Sequence, residues 1–213
     1  MNTSPPAHRP SRRMALSPHS AALSRRQCLL AGAGLLACTG PAPHADAHAA
    51  FGPVTPPQAP PALSLTGTDG QAAALKNLLK GHVTAVQLMF TTCSATCPIQ
   101  GAIFADAQAR LAAAGKGLRL LSISIDPLGD SPQALKQWLG RFGAQPPRWA
   151  AAVPRVQDVD TLIDFLRGRT SGVDRHTAQA FLFDAQARLA FRTADMPAGG
   201  DLVTLMQQLA ARR

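Results

Sequence analysis

Cys93 and Cys97 stand four residues apart in Phe90-Thr-Thr-Cys-Ser-Ala-Thr-Cys-Pro98. A β-rich run ends just before them and a helical pattern starts just after, which sets both sulfurs at a strand-to-helix corner. Such a corner offers unpaired N–H groups and the positive end of a helix dipole, and both lower a thiol's pKa. Thiolates attack disulfides and bind soft metals. A bridge closing so small a loop would constrain the unfolded chain little, so stapling the fold is a weak reason for the pair. The third group is His176, in Gly172-Val-Asp-Arg-His-Thr177, on the loop that enters an apolar strand. Two thiolates and an imidazole suit copper, or zinc if a fourth ligand completes a tetrahedron. His82, in Lys80-Gly-His before another strand, has no such partners and reads as a surface residue.

The elements that must position these groups follow from periodicity. Leu63 to Gln71 alternates around Gly67 and Asp69-Gly70, the pattern of a hairpin. Val83–Phe90 and Leu118–Ile125 are apolar enough for central strands of a covered sheet. Between them, Ile99, Ile103, Ala107 and Leu111 recur at helical spacing, and Gly115 is placed to end that helix. Ser131-Pro132 reads as an N-cap followed by a first-turn proline, and Leu135, Trp138, Leu139 and Phe142 give the buried face of the helix it starts. Val159, Leu162, Ile163 and Leu166 predict a further short helix, with an optional strand ahead of it. Ala180–Asp184 and Leu189–Thr193 predict an antiparallel pair, and Leu202 to Leu209 a closing helix. The order predicts an α/β fold, a central mixed sheet flanked by helices with an N-terminal β-hairpin. A thioredoxin-like fold is its natural form, and in such a sheet the loop carrying His176 faces the corner carrying Cys93.

With those placements the chain resembles the Sco/SenC copper proteins of cytochrome c oxidase assembly. Residues 90–98 resemble that family's T-x-C-x-x-x-C-P motif. Ser-Ile-Asp126-Pro-Leu-Gly-Asp130-Ser-Pro132 resembles its D-P-x-x-D-[ST]-P stretch, and Val173-Asp-Arg-His176-Thr stands where its copper-binding histidine stands. The resemblance covers residues 63–210. It departs at Ser94-Ala95-Thr96, which lacks a proline common after the first Cys, and at Ala187, where a hairpin glycine is usual. The stretch from Gly143 to Pro154 is short and proline-rich, which predicts a different loop there. The resemblance implies one copper ion, Cu(I) or Cu(II), held by Cys93, Cys97 and His176. It also implies delivery of copper or electrons to the binuclear copper site of the oxidase, with that subunit or another copper protein as recipient and a periplasmic copper donor upstream. The leading reading is a metallochaperone without turnover. The alternative is an extracytoplasmic thiol–disulfide oxidoreductase in which Cys93 and Cys97 cycle without an obligatory metal. A peroxiredoxin shares the fold, but Phe90 occupies the position of its catalytic Thr.

Residues 1–49 read as an address. A polar, basic start ends in Arg25-Arg26, an apolar run follows from Cys28 to Ala37, and small residues with two A-x-A triplets close it. The paired arginines resemble a twin-arginine export signal, with a Sec signal as the alternative. Leu35-Leu36-Ala37-Cys38 resembles a lipobox, so a lipid anchor at Cys38 is set against simple cleavage near Ala47 or Ala49. His44 and His48 read as incidental tail residues. The expected location is the periplasm or the outer face of a bacterial inner membrane. Residues 50–62 carry five prolines and read as a semi-rigid linker, leaving 63–213 as the folded domain. The net charge of +9 invites a nucleic-acid reading. Beyond residue 49, however, 16 basic and 11 acidic residues are scattered without interleaved aromatics, and nucleic acid is excluded as a partner. The chain's 46% hydrophobic content excludes wholesale disorder, and no apolar run is long enough to span a membrane.

Overall fold

The computed structural model describes residues 51–112, 117–170 and 175–212. The segment expected to direct export, with Arg25, Arg26, Cys28, Cys38, His44 and His48, lies outside the described residues, as do Gly115, Val173 and Asp174.

The two apolar runs are the central strands β4 (Val83–Met89) and β5 (Leu118–Ser124), which pair in parallel. Every residue of β4 is buried, because the strand is covered on both faces. β6 (Trp149–Pro154) extends the parallel set beyond β5. On the other flank, β7 (Gln179–Phe183) pairs antiparallel with β4, and β8 (Leu189–Asp195) with β7. The predicted hairpin is β2 (Ser64–Gly67) and β3 (Ala72–Ala74), joined to the sheet through β6. With β1 (Gly52–Gln58) the order is β1-β8-β7-β4-β5-β6-β2-β3.

Helices α1 (Leu75–Leu79), α2 (Thr96–Leu111), α3 (Pro132–Arg141), α4 (Val159–Leu166) and α5 (Gly199–Ala211) cover the sheet. Alternate strand residues feed two cores. Ala85, Met89, Leu120, Trp149 and Leu182 pack with Phe104, Trp138 and Met206 of α2, α3 and α5. Val86, Leu88, Ile123 and Phe181 pack with Leu75, Leu162 and Leu166 of α1 and α4. Gln87 Nε2 and Trp149 Nε1 both donate to Ser122 Oγ at 2.9 Å, while the buried Gln87 Oε1 accepts no hydrogen bond among the described residues. Ser131 caps α3 as expected, accepting from Ala134 N–H at 3.1 Å, with Pro132 in the first turn. A mixed sheet with helices on both faces is the thioredoxin-like arrangement that the element order predicts.

Two segments differ from expectation. The proline-rich stretch 50–62 is not a free linker: Gly52–Gln58 is the edge strand β1, paired with β8, and Val54 is buried in the second core. An edge strand tolerates prolines because the N–H groups they lack can lie on the open side. The folded unit therefore starts near Gly52, ahead of Leu63. The stretch around Gly143–Pro154, expected as a differing loop with an optional strand before the next helix, contains β6 as a full member of the sheet. Its Trp-Ala-Ala-Ala-Val-Pro sequence has weak strand propensity, and pairing with β5 and β2 on its two sides overrides that.

Candidate metal and thiol site

The topology brings the three groups to one end of the sheet. Chain leaving β4 at Met89 turns through Phe90–Ala95 and enters α2 with Cys97 in its first turn. β7 lies antiparallel beside β4, with Gln87 opposite Ala180, so the residues entering β7 stand beside the residues leaving β4. His176 is placed there, and its loop is held by a bridge to Arg169 and by Thr177 N–H donating to Gly168 O at 2.8 Å. Its imidazole is buried, with the Phe90 ring edge-on at 6.2 Å.

Cys97 Sγ and His176 Nε2 are 3.9 Å apart. His176 Nδ1 lies 2.9 Å from Thr177 O, a carbonyl that can only accept, so Nδ1 carries the ring proton. In the neutral ring that tautomer leaves Nε2 as the acceptor facing the Cys97 sulfur. Metal–thiolate and metal–imidazole bonds of roughly 2.3 and 2.0 Å, opened by about 110–130°, place S and N some 3.5–3.9 Å apart. The observed separation of 3.9 Å falls at the upper end of that range. Among the described residues, no three Cys, His, Asp or Glu side chains converge on one point. The sulfur of Cys93, the other sequence-predicted ligand, accepts from the Cys97 N–H at 3.3 Å.

The two thiols are unequal. Cys97 is fully buried and Cys93 half-exposed, and no disulfide joins them. Burial, reinforced by its hydrogen bond with Cys93, pushes the Cys97 thiol up to about 12. Burial also acts upward on Cys93. It is outweighed by hydrogen bonds from the Cys97 thiol and N–H, the Ala95 backbone and the Thr96 hydroxyl, which leave Cys93 below the ordinary cysteine value. The exposed sulfur is thus the nucleophile and the buried one its proton-holding partner.

Sequence reasoning gave no role to Asp130, although it singled out the stretch from Asp126 to Pro132. Asp130 is buried, and its carboxylate accepts from Thr91 N–H at 3.0 Å, from the Thr91 hydroxyl, and from Ser124 Oγ at 2.6 Å. The recurrence of two aspartates before a helix cap was the signal; the partner, 39 residues earlier, was not readable. His82 lies at the start of β4, at the other end of the sheet, with Nδ1 at 3.2 Å from Lys80 O, and takes no part in the site.

The fold and the corner together define the class: a thioredoxin-like protein whose two thiols, one of them faced by a buried imidazole, can cycle as a disulfide or hold a soft metal. The chain belongs to the SCO1/SenC family, whose model matches residues 55–198. It is 33% identical over 81 residues to a SCO1 protein homolog of Bacillus subtilis, a match spanning 38% of this chain and 42% of that relative's length. Three solved structures share the fold. A SCO1/SenC family lipoprotein from Bacillus anthracis has a TM-score of 0.64 at 22% identity, covering 74% of this chain and 97% of that one. Arabidopsis thaliana ScoI with copper bound gives 0.60 at 19% identity, covering 76% and 99%. BsSco, described with a disulfide switch and as a member of the Sco family of cytochrome c oxidase assembly proteins, gives 0.62 at 20% identity, covering 74% and 96%.

Proposed function

We propose that this protein binds one copper ion through Cys93 Sγ, Cys97 Sγ and His176 Nε2 and passes it to the binuclear copper site of cytochrome c oxidase. The observation that carries the reading is the Cys97 Sγ–His176 Nε2 contact, with Nδ1 tied to Thr177 so that the ligating nitrogen is bare. A relative crystallised with copper, and another described among oxidase assembly proteins, support it. Neutral imidazole and deprotonated sulfur are the binding forms, so loading copper releases the Cys97 proton. Copper(I) can move to a recipient thiol through a shared-ligand intermediate, with no bare ion in water. The edge of Phe90 and the burial of His176 keep solvent from the nitrogen side.

The inequality of the two sulfurs favours a second role on the same residues. Cys93 thiolate can attack a disulfide between the recipient's copper-ligand cysteines, releasing one as thiolate and forming a mixed disulfide. Cys97, losing its proton, then attacks Cys93 Sγ, frees the second recipient thiol and leaves a Cys93–Cys97 disulfide. Two electrons have passed to the recipient, and a cellular dithiol must restore the pair. Both roles belong outside the cytoplasm, with export through Arg25-Arg26 and a lipid anchor at Cys38 as the proposed route and tether.

His176→Ala separates the two roles. Copper(I) accepts two near-linear thiolates, whereas copper(II) does not. The variant is therefore expected to keep copper(I) with a modest loss and to lose copper(II) affinity by about 10- to 100-fold, the scale seen even for outer-sphere changes at metal sites. In cells, loss of oxidase assembly matching that of Cys93→Ser supports delivery, and retained assembly supports reduction alone. Unchanged binding of both copper states removes His176 from the site.

A further inference from the structure

We propose that Asp130 is a positioning residue for the thiol site: by gripping Thr91 it sets where the Cys93 sulfur stands. Thr91 is two residues before Cys93, on the turn whose hydrogen bond from Cys93 N–H to Phe90 O measures 3.2 Å. Both donors of Thr91, its N–H and its hydroxyl, end on the Asp130 carboxylate. Ser124 Oγ, at the end of β5, fastens that carboxylate at 2.6 Å. Rigid strand, carboxylate and cysteine turn thus form one chain of bonds.

A purely architectural reading explains less. Asp130 immediately precedes α3, but Ser131 caps that helix on its own. The turn from Asp126 is closed by backbone bonds, Asp130 N–H to Asp126 O at 2.9 Å and Gly129 N–H to Asp126 O at 3.2 Å. The carboxylate is only 3% exposed, and none of the ion pairs among the described residues includes it. Burying a charge without a cation is expensive unless hydrogen bonds compensate, and the compensating donors lead straight to the cysteine turn. This deepens the proposed function, since the turn it fixes carries the metal's third donor.

The test compares Asp130→Asn and Thr91→Val with Asp184→Asn. Asp184 is another buried carboxylate that organises a turn, at the opposite end of the sheet. Each purified full-length variant is equilibrated with glutathione redox buffers, the Cys93–Cys97 disulfide fraction is measured, and thermal stability is recorded alongside. The bonds removed belong to the dithiol form, in which no disulfide joins the two cysteines. Asp130→Asn and Thr91→Val are therefore expected to shift the equilibrium toward the disulfide by at least threefold, while Asp184→Asn loses stability without that shift. A shift no larger than that of Asp184→Asn would overturn the proposal. If Asp130→Asn does not fold, the near-isosteric Thr91→Val decides by the same criterion. Copper titration of the parent is read separately: absence of copper binding refutes the proposed function, and the disulfide equilibrium still decides the role of Asp130.

Discussion

Aspartates hold turns at both ends of the central sheet, and their reach differs. Asp184 closes the β7–β8 hairpin within a few residues: Oδ1 accepts from Gln186 N–H at 3.0 Å and Arg188 N–H at 2.8 Å, and Arg188 Nε reaches Oδ2 at 2.8 Å. Every donor comes from the turn itself, as in a local Asx turn. Asp130 spends its acceptors on Thr91, 39 residues away, and on Ser124. A local clamp shapes one hairpin, whereas a long-range clamp transmits the position of one strand end to another. The site lies where the reach is long. That contrast makes the far end a natural control for the near end.

The largest separation is expected between the two sulfurs. Cys93 lies below the ordinary cysteine value of 9 and Cys97 is pushed up to about 12, so at pH 8 the thiolate fraction of Cys97 is the smaller by about a thousandfold or more, of which its greater intrinsic nucleophilicity returns about thirtyfold. Cys93 should be alkylated by iodoacetamide at least about 30-fold faster at pH 8, as mass spectrometry of each cysteine peptide can show. Its rate should level off as pH passes its lowered pKa, below 9, while that of Cys97 keeps climbing toward about 12. The sign for stability is opposite in the two. Folding holds the Cys97 proton more tightly than the unfolded chain does, so its contribution is lost as pH rises from about 9 toward 12. Equal alkylation rates would erase the distinction between nucleophile and buried partner.

A smaller effect is expected at Gly101, one turn beyond Cys97. A Cβ there would sit 2.3–2.7 Å from three carbons of the Phe142 ring, which packs against Trp138 and Trp149. Gly101→Ala should cost about 1–3 kcal/mol through overpacking, less a gain of under about 1 kcal/mol in helix propensity. Chemical denaturation measures it; an unchanged midpoint would mean that the ring moves freely.

At the far end, Ala187 adopts φ 63° in the hairpin turn, a left-handed conformation that costs a residue with a Cβ roughly 1–2 kcal/mol. Ala187→Gly relieves that strain but gives up a fully buried methyl, worth about 0.8 kcal/mol, and some chain entropy. The net change should stay within about 1 kcal/mol and leave the thiol rates untouched. A change in those rates would show that the two ends communicate.

Much of this was legible in the residues. The cysteine corner, the strand-entry histidine, the two apolar central strands and the capped α3 each rest on a local pattern, and each is where the pattern put it. β1 was hidden because prolines read as extended linker, and only a neighbouring edge turns that backbone into a strand. β6 was legible only as an optional strand, because three alanines carry little strand preference until β5 and β2 flank them. The grip of Asp130 on Thr91 and the inequality of the cysteines are tertiary facts: a hydrogen bond across 39 residues and a difference in burial leave no periodic trace.

The central claim is that Cys93, Cys97 and His176 form one metal site. Its most direct test is anaerobic copper titration of the reduced protein beside the double variant Cys93→Ser/Cys97→Ser and the single variant His176→Ala, following stoichiometry and the thiolate-to-copper(II) charge-transfer band. The account predicts one copper per chain in the parent, no band when both cysteines are replaced, and copper(II) binding weakened about 10- to 100-fold when the imidazole is removed. One copper per chain with the same band in the double cysteine variant would contradict it.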